Sequence, residues 1–336
     1  MNTAEASETD ASPLSNFTIA ETDAGMRLDA FLSEHIEGWS RSRLQRLITD
    51  GDVLVNGKTA KASYKLHQND EIDVDLVEAP AAVFEPEDIP LEIVFEDEWL
   101  AVINKPAGMV VHPGAGNSSG TLANAIAWHF KFRIPDSRSG PKSEIWNLES
   151  GTDSRIGIVH RLDKDTSGLI VVAKDEETHE ALSNQFRDRV VTKQYVALVH
   201  GSARENSGTI DRPMARDRWH RTKMTVAANG RSALSLWKVR KRFDKFTLVD
   251  VEIKTGRTHQ IRVHLASINH PVVGDETYNE GRDNTIANVD VKNAVRKMGR
   301  FFLHAEKLTF THPQTGERLS FTTEIPAELK ELLDLV

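Results

Sequence analysis

One segment of the chain, residues 157–174 (GIVHRLDKDTSGLIVVAK), places ionisable side chains directly before an apolar run. Asp163 and Asp165 lie in its polar half, and the run at 169–173 has the length and β-branched content of a buried strand. A charge left unpaired beside a buried strand costs several kcal/mol, so charges in that position are paired or take part in chemistry. The segment therefore predicts either a reactive carboxylate or a structural ion-pair loop.

A second segment, residues 255–265 (TGRTHQIRVHL), supplies a candidate partner for that carboxylate. If a helix opens near Thr258, Arg262 falls on the face that carries the apolar residues, at i, i+3, i+4 and i+7 spacing. Arg262 would then point toward the core, where it needs a carboxylate, and Asp163 is the obvious candidate. An arginine keeps a neighbouring carboxylate ionised, and an ionised, oriented carboxylate can act as a nucleophile.

The histidines leave a different chemistry open. A metal-dependent phosphoesterase acting on RNA could be built from four of them: His112, His160, His259 and His264. Two of these, His259 and His264, are five residues apart, which is not the i, i+4 spacing of helical metal ligands, and no HExxH motif occurs. The spacing argues against a metal site without excluding one.

Length and composition limit the classes of protein that fit. A chain of 336 residues predicts about two domains, and the absence of cysteine excludes disulfides, thiol catalysis and thiolate metal sites. No apolar run reaches the roughly 18 residues of a membrane span. Residues 1–25 are polar and acidic, unlike a signal peptide, and predict a short disordered tail. We therefore expect a cytoplasmic protein, with a monomer as the default state.

The net charge of −8 conceals an uneven distribution. Residues 1–25 carry five acids and residues 67–98 carry twelve, and neither segment contains Lys or Arg. The remainder of the chain is therefore net positive by nine charges. This pattern allows a polyanionic partner such as a nucleic acid without requiring one.

Residues 26–75 form one unit with a basic side. Ser40 can cap a helix that ends near Gly51, and Asn56-Gly57 is the strongest short signal for a hairpin turn. Three arginines lie on one side of that helix: Arg41, Arg43 and Arg46. The whole pattern resembles an S4 domain, a small RNA-binding module. The resemblance implies that these arginines contact RNA, whereas a solvated helix face is the alternative.

The chain beyond this unit predicts a linker and an α+β domain. Residues 76–90 are acidic and proline-rich, as in a linker, and residues 133–156 are polar and rich in Gly and Ser, as in a surface insertion. Within residues 91–336, strand signals are often adjacent, which favours an α+β fold with a mainly antiparallel mixed sheet. The strand-like runs are 91–95, 100–103, 169–173, 194–199 and 246–253, and the helix-like runs are 121–131, 176–188, 259–268 and 326–335.

Taken together, the motifs of residues 91–325 resemble those of the RluA-type pseudouridine synthases. The matching motifs, in order, are VINKPAG at 102–108, VHPG at 111–114, GIVHRLDKDTSG at 157–168, Tyr195, and TGRTHQIRVH at 255–264. The S4-like unit and the segments at 84–91 and 112–117 resemble the D-type branch of that family, which acts on large-subunit rRNA. The long insertion and the acidic tail depart from the family pattern.

The resemblance implies a reaction and a role for three residues. A pseudouridine synthase breaks the N1–C1′ bond of a uridine, rotates the uracil and rejoins it through C5, with no metal and no cofactor. Asp163 would be the nucleophile or base, acting at C6 of the base or at the sugar, and Arg262 would hold it ionised. Tyr195 would stack on the uracil close to the C5 proton. The residues alone leave two alternatives: Asp165 as the reactive carboxylate, and Tyr195 as an ordinary strand aromatic.

The resemblance also implies an RNA surface around the site. Arg161 and Lys164 flank Asp163 and suit the phosphates of a target uridine that has been flipped out of its helix or loop. Residues 211–223 (DRPMARDRWHRTK) interleave basic residues with Trp219, a composition that suits RNA phosphates and a stacked base, although a plain hairpin loop is the alternative. The RNA-binding candidates in this segment are Arg218, Arg221 and Lys223.

The D-type resemblance further implies a target, namely uridines of helix 69 in 23S rRNA. Two alternatives stay open at this point. The first is the same chemistry on other rRNA uridines or on tRNA. The second is a non-catalytic RNA-binding protein of ribosome assembly, in which Asp163 has a structural role.

Overall fold

The structure is a computed structural model that describes residues 14–36, 44–45, 47–48, 51–75, 85–113, 119–130, 157–217, 219–220 and 223–336. The described residues form two compact units, which divide between residues 75 and 85. The insertion expected at 133–156 and most of the expected linker lie outside the described residues. In the parts that are described, no helix is long and apolar enough to cross a membrane.

The N-terminal unit is a small antiparallel sheet with helix α1 (Leu28–His35). Its described strands are β1 (Leu14–Thr18), β2 (Val53–Val55), β3 (Lys58–Thr59) and β4 (Glu71–Asp75). They lie in the order β1-β4-β2-β3. Asn56 and Gly57 join β2 to β3 with φ values of 53° and 71°, which is the geometry of a type I′ hairpin. The hairpin prediction is confirmed.

This unit begins earlier in the chain than the sequence indicated. Strand β1 pairs with β4 along its whole length, Phe17 packs edge-on against Phe31 with 5.7 Å between ring centroids, and Ile19 is buried in the core. The disordered tail predicted up to residue 25 is therefore wrong from residue 14 onward. The apolar side chains of Phe17 and Ile19 contact the core and favour the pairing of this segment with the edge of the sheet. The residues before 14 lie outside the described part.

Only part of the predicted basic helix is described. Leu44, Leu47 and Ile48 lie in helical backbone and are buried, as expected for its apolar face. The N–H of Gly51 donates to the carbonyl of Leu47, and Gly51 has a φ of 94°, so the helix ends where the sequence predicted. The other residues singled out in this helix lie outside the described residues: Ser40, Arg41, Arg43 and Arg46.

The larger unit contains, within its described residues, one mixed sheet of nine strands. These are β5 (Glu92–Glu96), β6 (Leu100–Lys105), β7 (Ser167–Ala173), β8 (Thr192–His200), β9 (Ser207–Asp211), β12 (Leu234–Arg242), β13 (Phe246–Ile253), β14 (Leu303–Thr311) and β15 (Arg318–Thr322). Eight lie in the order β5-β6-β7-β14-β8-β13-β12-β9, and β15 pairs with β14. Strands β7 and β14 run parallel, and the other described pairs are antiparallel. The predicted α+β class is confirmed.

A separate hairpin and several helices complete the larger unit. Strands β10 (Met214–Arg216) and β11 (Met224–Val226) pair with each other. Strand β10 lies within the segment 211–223 singled out for RNA binding, and β11 begins directly after it. The described helices are α2 (Leu122–His129), α3 (Glu176–Arg187), α4 (Gln260–Ser267), α5 (Val289–Met298) and α6 (Ala327–Leu335). The sequence predicted four of these helices, and α5 was missed.

The end of the expected linker belongs to the larger unit. The side chain of Asn124 in α2 donates to the carbonyl of Glu85 at 2.8 Å, and the N–H of Glu87 donates to the carbonyl of Asn124 at 3.1 Å. The carboxylate of Glu87 accepts from the N–H of Gly120 at 2.9 Å. The linker prediction is therefore wrong at these residues, because the backbone of Glu85 and the carboxylate of Glu87 accept hydrogen bonds from the start of α2 and the residue before it.

Candidate active site

Asp163 lies in a tight turn directly before strand β7. The N–H of Thr166 donates to the carbonyl of Asp163 at 3.1 Å, and the Asp163 side chain is 16% exposed. Gly168 is required at the start of β7, because its φ is 114° and a Cβ there would lie 2.3 Å from the carbonyl oxygen of Ala305 in β14. The turn is thus positioned where two central strands come into close contact.

Lys105, the last residue of β6, holds this turn. Its side chain is fully buried, and its Nζ donates to the carbonyls of Pro106, Met109 and Lys164 at 2.8, 2.9 and 3.0 Å. Burial lowers the pKa of Lys105 to about 7. Three acceptors match the three donors of an ammonium group, so the charged form makes the full set of hydrogen bonds. Lys105 therefore ties the residue next to Asp163 to the end of β6.

Arg300 holds the same turn through different atoms. Its Nη1 donates to the carbonyl of Asp165 at 3.1 Å and to Oγ of Ser167 at 2.9 Å. Its Nη2 lies 3.1 Å from Oε1 of Glu328 on α6. Two buried basic side chains, Lys105 and Arg300, thus fix the backbone of the turn that carries Asp163.

Arg262 joins two aspartates. Its Nη1 lies 3.3 Å from Oδ2 of Asp163, whereas its Nε and Nη2 donate to Asp275 at 2.7 and 2.8 Å. Burial lowers the pKa of Arg262, but the hydrogen bonds and charge of Asp275, with a smaller part from Asp163, outweigh burial and raise it. The guanidinium is therefore charged and fixed by the bidentate pair with Asp275, and it directs its Nη1 at Asp163.

Two aromatic rings and a hydrogen-bonded turn before α4 hold Arg262 in this position. Its Cζ lies 4.2 Å from the ring centroid of Phe301 and 5.0 Å from that of Tyr278, within the range of cation–π attraction. Helix α4 begins at Gln260, whose Oε1 accepts hydrogen bonds from the hydroxyl of Thr255 and the N–H of Arg257. The helix that carries Arg262 is thus fixed at its first residue.

Tyr195 of strand β8 is buried close to Asp163. It is 6% exposed, and burial, followed by the charge of Asp163, raises the pKa of Tyr195 far above its ordinary value. Its hydroxyl has no hydrogen-bond partner among the residues that the structure describes. Tyr195 is therefore a neutral phenol at neutral pH, with a hydroxyl that is available to a ligand.

Two cavities meet at Asp163. The smaller has a volume of about 50 Å³ and is lined by the three residues that the sequence singled out, Asp163, Tyr195 and Arg262, and also by His259. The larger is a cleft of about 1040 Å³ that shares Asp163, His259 and Arg262 and extends along residues 274–301. The carboxylate therefore faces a narrow space on one side and a wide cleft on the other. Asp165 lines only the wide cleft.

Basic side chains line the wide cleft. Arg161 and Lys164, on either side of Asp163, are exposed, and Nζ of Lys223 donates to the carbonyl of Thr277 at 3.1 Å. Three further cations in its wall come from α5 and the segment after it: Lys292, Arg296 and Arg300. Of the remaining RNA-binding candidates, Arg218 and Arg221 lie outside the described residues.

The β10–β11 hairpin carries an exposed tryptophan at its tip. Trp219 is 89% exposed, and the carboxylate of Asp217 accepts hydrogen bonds from the N–H groups of Trp219 and His220 at 2.8 and 2.7 Å. These bonds stabilise the local turn without covering the indole ring. The ring is therefore accessible to a flat partner.

Comparison with known proteins decides the family. Residues 99–267 match the profile of the RNA pseudouridylate synthase family, and residues 26–72 match that of the S4 domain. The chain is 39% identical to an uncharacterized RNA pseudouridine synthase of Bacillus subtilis, over 95% of this chain and 97% of the relative. The chain belongs to the RNA pseudouridine synthase family.

Other relatives carry more specific names. The synthase is 40% identical to the ribosomal large subunit pseudouridine synthase D of Xanthomonas campestris, over 98% of this chain and 94% of that one. It is 38% identical to the protein of the same name in Escherichia coli K12, over 95% of this chain and 93% of that one. Two solved human structures share the fold. RNA Pseudouridylate Synthase Domain Containing 1 gives a TM-score of 0.53 at 25% identity, over 73% of this chain and 89% of that one. RNA Pseudouridylate Synthase Domain Containing 4 gives a TM-score of 0.55 at 24% identity, over 72% of this chain and 92% of that one.

The synthase uses its histidines separately. Nε2 of His160 accepts the N–H of Val171, and the two ring nitrogens of His264 bond Oγ of Ser235 and the carbonyl of Arg212. Across the described ranges, no group of three or more His, Cys, Asp or Glu side chains could hold a metal ion. Among those residues, the four histidines that the sequence left open as a metal site are therefore not gathered into one such group.

Several residues of the site escaped the sequence analysis. Asp275 follows the apolar pair Val272-Val273 and a glycine. A carboxylate beside an apolar run is the same pattern that singled out Asp163. Lys105 lies at the end of an apolar run and carried a comparable signal. Tyr278, which packs on Arg262, carried none, because its role depends on contacts between distant segments.

Proposed function

We propose that this synthase converts uridines of large-subunit rRNA to pseudouridine and that Asp163 is its reacting carboxylate. The observation that carries the proposal is the contact between Arg262 and Asp163 inside a cavity that Tyr195 also lines. A partly buried carboxylate that contacts a charged, rigid guanidinium is held in one orientation, which is what a nucleophile or base requires. The names of the relatives that align over nearly the whole chain support rRNA as the substrate class.

The isomerisation makes limited demands on the protein. The N1–C1′ bond breaks, the uracil turns within the site, the C5–C1′ bond forms, and the proton on C5 leaves. Asp163 can begin this sequence by adding to C6 of the base or by attacking C1′ of the sugar. Both routes require a carboxylate held against the nucleotide. On the sugar route, C5 displaces the carboxylate from C1′ before the proton on C5 is removed. On the C6 route, the carboxylate leaves C6 by elimination together with that proton, which restores the C5–C6 double bond.

Tyr195 contributes as a neutral ring in this proposal. Because burial raises the pKa of Tyr195, it does not supply a phenolate at neutral pH. Its ring can stack on the uracil, and its hydroxyl can donate to the base or accept from it. On the sugar route, the released carboxylate of Asp163 is then available in the small cavity to take the proton on C5.

The RNA surface follows from the same geometry. A uridine inside a helix or loop must be flipped outward to reach Asp163, and Arg161, Lys164 and Lys223 line the cleft through which its strand would pass. The indole of Trp219 would stack on a neighbouring base. In the S4 unit, Lys58 and Lys61 line a second cleft of about 530 Å³. We propose that Lys58 and Lys61 also bind RNA, together with Arg41, Arg43 and Arg46.

We infer helix 69 of 23S rRNA as the target, and mapping of pseudouridines in cells that lack the chain tests this assignment. The expected result is the loss of pseudouridine from helix 69, restored by the wild-type protein and not by Asp163→Ala. Loss of a tRNA site with intact rRNA would overturn the substrate class. Full modification by Asp163→Ala would overturn the role of Asp163 and favour a protein of ribosome assembly.

A further inference from the structure

His259 occupies an unusual position at the start of α4. Its backbone is left-handed, with φ 56° and ψ 20°, and its side chain does not cap the helix. Gln260, the next residue, holds the segment before the helix instead, because its Oε1 accepts from the hydroxyl of Thr255 and the N–H of Arg257. Left-handed backbone is unfavourable for residues other than glycine, and apart from turns it recurs at functional sites. The imidazole is thus held in place and not used for local structure.

Hydrogen bonds at Tyr278 decide which nitrogen of His259 carries the proton. The hydroxyl oxygen of Tyr278 accepts the N–H of Met224 at 2.9 Å and lies 2.7 Å from Nδ1 of His259. Among the described residues, the phenol proton has no other acceptor than this Nδ1. Tyr278 therefore donates to Nδ1, and the proton of the neutral imidazole is on Nε2.

The charge state of His259 agrees with this assignment. Burial is the main influence on the pKa of His259 and lowers it, and the nearby charges of Arg262 and Arg161 act in the same direction. The carboxylates of Asp163 and Asp275 oppose the shift without reversing it. The imidazole is thus neutral near pH 7, with one donor, Nε2–H.

That donor has no partner within the protein. No acceptor for Nε2 of His259 occurs in the part of the chain that the structure describes. His259 lines both the small cavity with Asp163 and Tyr195 and the wide cleft. A neutral donor is therefore available at the point where the two cavities meet at the reacting carboxylate.

We propose that His259 donates its Nε2–H to a carbonyl oxygen of the target uracil during the isomerisation. This proposal rests on the proposed function. Attack on C6 places negative charge on a carbonyl oxygen of the ring, and cleavage at C1′ spreads the charge of the departing base over the same oxygens. A fixed donor at that position stabilises the charge on either route. Phosphate oxygens are better served by the exposed, charged Arg161.

The test compares three variants on the RNA that the wild-type enzyme modifies. His259→Asn tolerates left-handed backbone but is too short to place a donor at the position of Nε2. His259→Gln can place an amide N–H there, and Tyr278→Phe keeps the histidine but removes the proton that fixes its tautomer. The readouts are kcat from single-turnover formation of pseudouridine, and Kd for the RNA.

We expect His259→Asn to lower kcat about 100-fold with Kd changed less than about 3-fold, the size found for loss of one such donor. His259→Gln should recover about 10-fold of that loss, and Tyr278→Phe should fall between wild type and His259→Asn. Unchanged kcat in His259→Asn, or a loss confined to Kd, overturns the proposal. If His259→Asn does not fold, unchanged kcat in Tyr278→Phe overturns it. A wild-type protein that modifies no RNA would refute the proposed function instead.

Discussion

Arg262 donates two short hydrogen bonds to Asp275, at 2.7 and 2.8 Å. Its contact with Asp163 is longer, at 3.3 Å. Asp275 therefore fixes the plane of the guanidinium, while the third N–H group can follow Asp163 as that carboxylate moves between free and bonded states. A rigid cation paired with a more weakly held carboxylate suits a group that must form and break a bond within one turnover.

Replacement of Asp275 tests this division of roles. Asp275→Asn removes the charge that balances Arg262 and weakens its bidentate bonding, so the guanidinium loses its fixed orientation. We expect kcat to fall about 100-fold, as misplaced catalytic groups do, and the free energy of unfolding to fall by about 3 kcal/mol. RNA affinity should be unchanged. Urea unfolding and single-turnover kinetics measure both effects, and wild-type kcat would contradict the account.

Replacement of Lys105 tests the anchoring of the catalytic turn. Lys105→Met leaves three partly buried carbonyls without their donor, so we expect a loss of about 3 kcal/mol in the free energy of unfolding and a lower kcat in the folded fraction. The matched control is Lys174→Met, at the end of β7, whose Nζ bonds Glu96 and the carbonyl of Asp97 rather than this turn. An equal loss of kcat in both variants would argue against a specific role for Lys105.

Sequence patterns gave the large features of the fold because they report local periodicity. The runs that became β7, β8 and β13, and the spacing that directed Arg262 toward Asp163, needed no knowledge of distant segments. The missed features depend on tertiary contacts. Strand β14 was missed because charged residues interrupt its apolar run, yet it lies between β7 and β8 and is largely buried there.

Among the residues around Asp163, those whose roles depend on tertiary contacts could likewise not be predicted from the sequence. Asp163 and Arg262 could be paired from sequence because each is a charge beside an apolar run. Tyr278 and His259 could not be assigned, because their roles follow from one hydroxyl that bonds segments 54 and 19 residues away in the chain. The N-terminal strand was missed for a related reason, since its few apolar residues are buried only by the sheet that it joins.

Buried histidines predict acid sensitivity. His304 is fully buried, and burial lowers its pKa to about 4, below the ordinary value of 6.5. Between these values the unfolded chain binds more protons than the folded one, so stability falls as pH decreases from about 6.5 to about 4. Burial of His160 acts in the same direction.

We expect His304 to account for about 2 kcal/mol of the loss in unfolding free energy between pH 7 and pH 5. Urea unfolding at the two pH values measures it. His304→Gln should show a smaller difference between them, because glutamine does not titrate. An equal pH dependence in the variant and the wild type would contradict the assignment.

Because the indole of Trp219 is exposed, we expect its removal to weaken RNA binding without changing the rate of the reaction. Trp219→Ala removes a stacking surface worth about 1–3 kcal/mol, so we expect the Kd for the RNA to rise about 10-fold with kcat unchanged at saturation. Trp128→Ala is the matched control, since Trp128 is also exposed but belongs to helix α2 and not to the β10–β11 hairpin. A similar Kd in both variants would exclude Trp219 from the RNA surface.

The central claim is that Asp163 is the reacting group and Asp165 is not. The two carboxylates lie in one turn, but Asp163 alone of the pair lines the small cavity with Arg262 and Tyr195. The most direct measurement is tritium release from RNA labelled at C5 of uridine, with Asp163→Asn and Asp165→Asn compared at equal RNA binding. The account predicts no detectable release with Asp163→Asn and at least about a tenth of the wild-type rate with Asp165→Asn. Release by Asp163→Asn at the wild-type rate, or its loss only in Asp165→Asn, would contradict it.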